Sequence, residues 1–181
     1  MVLLVGVVLG LLVGLGQAGR NRVRYEAPVL YHLWLAPTAF LFQVGEQSLG
    51  IPLIASQLLF LGFIFVNRAH WGMKILLVGA VLNFTVMAAN GGFMPINYET
   101  AGRLLPQTDV LEIPAGTLFG AKDILLPPEA TRFEWLADRL LPPAWFPYPF
   151  AFSLGDVFIA AGAFWLLARQ TAPIIQGKQT S

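Results

Sequence analysis

The sequence predicts an all-α polytopic membrane protein with five transmembrane helices and a structured outer loop between the fourth and fifth. Three observations carry this expectation. Apolar residues make up 56% of the 181-residue chain and charged residues only 12%, so a water-exposed surface of ordinary polarity is hard to build. Four long runs carry no charge and a fifth carries one, each close to the roughly 20 residues that a helix needs to cross a hydrocarbon core. The basic residues fall beside alternate runs, as the positive-inside rule expects.

The spans are expected at 2–18, 27–45, 51–67, 75–90 and 150–168, with the outer loop at 91–149, all within a single domain covering 1–181. An unpaired backbone amide in hydrocarbon costs several kcal/mol, which requires each run to be helical. No polar/apolar alternation of the β-barrel kind is present. With the N-terminus outside, the inner segments hold Arg20, Arg22, Arg24, Arg68, Lys74, Arg169 and Lys178, seven of the eleven bases. The expected topology is therefore multi-pass, with the N-terminus outside and the C-terminus cytoplasmic. The first run lacks a basic leader and reads as a retained anchor.

The first helix places Gly6, Gly10 and Gly14 on one face at four-residue spacing, a surface on which a second helix packs closely, from this chain or another copy. In the second, Pro37 is expected to kink the helix. A tight turn is expected from Gly45 to Ile51, with Pro52 opening the third helix. Ser56, Gln57, Asn83 and Thr85 are polar residues of the kind that bond across helices. In the loop, Asn97 is spaced to cap a short helix reaching Leu105. Pro128 is placed to open another, with Phe133, Leu136 and Leu140 on one face. Trp135, Trp145 and Tyr148 suit a headgroup boundary, and the last residues, 174–181, read as a frayed tail.

Two motifs form the candidate outer-face site. Asn90, Gly91, Gly92, Met94 and Pro95 end the fourth helix; glycine accepts the left-handed conformation of a helix stop, and adjacent glycine amides can also cradle an anion. Ser153 and Asp156 open the fifth helix as N-cap and capping partner, with the carboxylate favoured by the helix dipole. Asp156 and Asn90 then face each other beneath the loop. No catalytic residue, cofactor or metal is expected. Cysteine is absent, His32 and His70 lie on the far side from Asp156, and no nucleotide or zinc motif occurs. A net charge of +1 leaves no footprint for nucleic acid.

The Asn-Gly-Gly-Phe-Met-Pro stop at Asn90 to Pro95, the Phe-Ser-Leu-Gly-Asp-Val run at Phe152 to Val157, and the segments Asp123 to Pro127 and Leu136 to Asp138 together resemble a bacterial family of small five-helix integral membrane proteins known as a domain of unknown function. Ala137-Asp138 stands where such relatives tend to have Gly-Asp. The resemblance implies a bacterial cytoplasmic membrane and no activity, cofactor or catalytic residue. The expected function is thus a non-enzymatic scaffold, accessory subunit or sensor, in contact with the lipid bilayer and with a membrane protein partner or a second copy. The alternative is a small-solute carrier or membrane enzyme using Asp156 and Asn90.

Overall fold

The computed structural model describes residues 1–44, 50–169 and 171–172. Its described α-helices are α1 (Val2–Asn21), α2 (Leu35–Val44), α3 (Ile51–Val66), α4 (Trp71–Ala89), α5 (Tyr98–Leu104) and α6 (Leu154–Ala168). The all-α class stands, but five transmembrane helices do not. Only α1 and α4 combine the length and apolarity of a membrane span, and 44% of the α4 window is buried in the protein, as in a core helix. At 16 and 15 residues, α3 and α6 reach about 24 and 22 Å, short of a ~30 Å hydrocarbon core. α2 has 10 residues.

Local bonding explains the short helices. The 27–45 run is helical only from Leu35, because the buried Asn67 side chain bonds both the N–H and the C=O of Tyr31, at 2.7 and 3.0 Å, and His32 is left-handed at φ 53°. Backbone groups engaged in this way cannot join a helical ladder. Pro37 consequently lies in the first turn of α2, where its missing N–H costs nothing, rather than in the interior of a longer helix. α6 starts at Leu154 rather than 150 because Ser153 caps it and Phe152 exchanges backbone bonds with Leu140. α4 begins earlier than expected, with His70 at its N-cap and the Lys74 ammonium over the Trp71 ring. The multi-pass topology with the N-terminus outside and the C-terminus inside needs an odd number of crossings, which the two helices of spanning length among the described residues do not supply, and it falls, with the multi-pass cytoplasmic-membrane location read from it. The expected turn 45–51 is described only at Gly50 and Ile51, and the tail 174–181 lies outside the described residues.

Packing neighbours run in the order α1, α6, α4, α3, α2. Small residues place α6 between α1 and α4. A Cβ on Gly10 would come 2.8 Å from the Phe164 carbonyl oxygen, and Gly6 and Gly14 are closer still to Ala160 and Leu167. On the other side Gly72 and Gly79 of α4 meet Gly162 and Gly155 of α6. Backbones that approach so closely gain dispersion contacts that larger side chains would prevent. The core beneath is formed by Phe63, Ile64, Met73, Leu76 and Ile159.

The connecting segment 91–149 is folded around strands rather than a second helix. β2 (Met94–Ile96) pairs in parallel with β4 (Asp123–Leu125), and β3 (Leu118–Phe119) pairs antiparallel with β4. Ile96, Ala101, Val110 and Leu125 form a small core of this segment's own. Asn97 caps α5 by accepting from the Thr100 amide at 2.8 Å. From Pro128 to the start of α6 the helical segments are two 3-10 turns, separated by Phe133 at φ 55°, which breaks any α-helical run. Near the termini, β1 (Arg24–Tyr25) pairs with β5 (Thr171–Ala172).

Candidate functional site

Strand register brings Asp138 to Lys122 and Asp123, and a helix N-terminus adds a fourth ionisable residue. Lys122 precedes β4, Asp123 opens it, and Asp138 is joined to β2 by its amide, which donates to the Pro95 carbonyl at 3.0 Å. The Lys122 ammonium donates to Asp138 Oδ2 at 2.6 Å and to Asp123 Oδ1 at 2.7 Å. Asp138 is only 1% exposed, and its Oδ1 has no hydrogen-bond partner among the described residues. Burial lifts the Asp138 carboxyl to about 7; Asp123 and Asp156 add to the rise and Lys122 opposes it. Burial acts to lower the Lys122 pKa, but the charges of Asp138, Asp123 and Asp156 outweigh it and the net shift is upward. The stressed member of the pair is Asp138, because Lys122 keeps 38% of its side chain exposed and has other anions nearby.

The N-terminus of α6 supplies the fourth member. Ser153 Oγ accepts from the Asp156 amide at 3.1 Å, and Asp156 Oδ2 accepts from the Ser153 amide at 3.0 Å, a complete capping box. Asn83 of α4 ties this cap to its neighbour, donating Nδ2 to Asp156 Oδ1 at 2.9 Å and accepting from Ser153 Oγ at 2.8 Å. Asn83 thus bonds across helices, whereas Thr85 bonds back to Val81 in its own helix. Gly155 is required beside it, because a Cβ there would collide with the Asn83 amide oxygen.

Above this network lies a cavity of about 330 Å³. Its apolar wall includes Phe40, Phe60, Met87, Met94 and Ile159, and its polar lining is Gln57, Asn83, Lys122 and Asp156. A concave, mostly apolar space with a few convergent polar groups has the general form of a small-molecule site, and its volume is at the lower end of the roughly 300–1,000 Å³ usual for them.

The structure separates the two halves of the sequence-derived site. Asn90 bonds neither Asp156 nor its cap; its side chain brackets Arg132, donating to the Arg132 carbonyl at 2.9 Å and accepting from the Arg132 amide at 3.0 Å. Gly91 and Gly92 are left-handed at φ 73° and 95°, and the Gly92 amide donates to the Met87 carbonyl at 2.8 Å, which closes the helix end. Gly92 also lies against Gly50, an approach that no side chain would permit. Met94 lines the cavity, and Pro95 holds Asp138 through its carbonyl. Ala137 is extended at φ −65°, ψ 169°, a conformation that needs no glycine. Lys122, Asp123, Asp138 and Asn83 are the site residues that the sequence did not expose as such. Their one visible signal is that acids and a lysine interrupt an otherwise apolar segment.

His70 Nε2 contacts the Val29 carbonyl at 3.1 Å and His32 lies in the turn before α2, so neither histidine lines the cavity. Among the described residues, no three His, Asp or Glu side chains converge as metal ligands.

Fold and site together define an all-α protein in which five helices and a small sheet line an amphipathic cavity whose polar end holds Lys122 and Asp156. The chain belongs to the family of unknown function DUF5317, whose model matches residues 28–168. It is also similar to an uncharacterized protein of Thermotoga maritima, 32% identical over 150 residues that cover 80% of this chain and 77% of that protein. No solved structure matches. The description of the resembled family as five-helix integral membrane proteins is corrected for this chain, which has two helices of spanning length and apolarity among those described.

Proposed function

We propose that this chain is a lipid-contacting, non-enzymatic binding protein, a sensor or accessory subunit that holds one small molecule in the cavity beneath the connecting segment. The cavity is the observation that carries the reading: an apolar wall gives affinity, and Lys122, Asn83, Gln57 and Asp156 give orientation. Lipid contact rests on the outward face of α1. Leu4, Leu12 and Leu15 are 58%, 63% and 53% exposed, while the glycine face of the same helix is buried against α6. A contiguous apolar surface of this kind marks a membrane or protein contact. The non-enzymatic reading rests on the acid–base inventory of the cavity lining: neither histidine is in it, Asp156 caps its own helix, and Asp138, the carboxyl raised to about 7, does not line it.

The test is solvent extraction of the chain purified in mild detergent, followed by mass spectrometry, beside Ala39→Leu, which narrows the cavity from the buried face of α2. A stoichiometric molecule recovered from the wild type and depleted from the variant is expected. Equal recovery from both would remove the cavity from consideration. Conversion of the recovered molecule on reincubation with the protein would overturn the non-enzymatic reading.

A further inference from the structure

We infer that the cavity ligand is a small amphiphile with a protonated amine, its cationic end paired with Asp156 and its alkyl or aryl body lying against Phe40, Phe60 and Ile159. This deepens the preceding proposal and rests on it.

Charge is the first argument. Around the polar end stand Asp123, Asp138 and Asp156 against the single cation Lys122. With all four ionised the cluster carries two uncompensated negative charges. A proton on Asp138 still leaves one. Asp138 is buried and Asp123 and Asp156 are partly so, and an excess of one sign in such a setting is relieved by a ligand of opposite sign.

Bonding locates the position. Lys122 lines the cavity too, but it is held by Asp138 and Asp123 at 2.6 and 2.7 Å, so its charge is already engaged by two carboxylates. Among the described residues Asp156 accepts only from the Asn83 amide and the Ser153 backbone, and has no cation bonded to it. Each of its oxygens has two lone pairs and uses one. Asp156 itself lines the cavity, so those unused acceptors are available to a ligand there. A carboxylate ligand would instead meet Asp156 as a like charge. The two phenylalanines add aromatic faces of the kind that attract ammonium groups.

The experiment compares octylamine, octanoate and octanol at equal concentration as thermal stabilisers of the full chain in detergent, with Asp156→Asn beside the wild type. Chain length is matched, and comparison at equal free concentration, after the share of each probe taken up by detergent is measured, leaves the head group to distinguish them. The inference expects octylamine to bind about tenfold more tightly than octanol, and Asp156→Asn to erase that difference. Octanol or octanoate equalling octylamine in the wild type would overturn the cationic ligand while leaving the cavity reading intact, and this comparison holds even if Asp156→Asn does not fold. An amine preference that survives in Asp156→Asn would overturn the role of Asp156. Failure of all three probes would remove both the cation and the cavity reading.

Discussion

Lys122 Nζ lies 2.6 Å from Asp138 Oδ2, although the two residues are 16 positions apart and neither is in a helix. The pair exists because β2 holds β4 on one side and the Asp138 segment on the other. It places a nearly inaccessible carboxylate beside the Lys122 ammonium, which lines the cavity.

Stability should therefore fall with rising pH through Asp138. Its carboxyl titrates near 3.9 in an unfolded chain and about 7 in the folded protein, so the folded state binds the proton more tightly. The stabilising contribution is fully present below about pH 4 and is lost as pH rises through 7. Melting temperatures at pH 5 and pH 8 should show a larger fall for the wild type than for Asp138→Asn. An equal fall in both, or a rise in the wild type alone, would show that Asp138 keeps an ordinary carboxylate pKa.

Gly10→Ile should unseat α1 from α6. The added side chain meets the backbone of Phe164, which cannot rotate away, and overpacking of this kind costs about 1–3 kcal/mol. Val8→Ile, on the exposed side of the same helix, should leave the melting temperature in detergent unchanged. Equal melting of the two variants would contradict a tight α1–α6 contact.

Asn90→Ala should free the connecting segment at Arg132. Two bonds to the Arg132 backbone are lost, and the expected cost is about 1–2 kcal/mol. Trypsin cleavage after Arg132 in otherwise native protein measures the release. Because Asn90 and Asp156 bond separate partners, combining Asn90→Ala with Asp156→Asn should be additive within about 0.5 kcal/mol. A larger coupling would mean that the two networks communicate.

The features legible in the sequence are those governed by a few neighbouring residues. The Ser153 and Asp156 capping box, the Asn97 cap, Pro52 in the first turn of α3 and the left-handed stop at Gly91 and Gly92 all follow from backbone sterics and hydrogen bonds within one helical turn. Apolar composition was equally plain, but an apolar run does not reveal where its helix begins. Asn67 binds Tyr31 from another element and leaves the start of the 27–45 run unwound. Long-range pairing likewise decided the rest. Gly72 and Gly79 meet Gly162 and Gly155 only once α4 lies on α6, and Lys122, Asp123 and Asp138 converge only through the register of β2 with β4. Charges separated along a chain carry no mutual distance until strands and helices bring them together, so the fold, rather than any local pattern, set the polar end of the cavity.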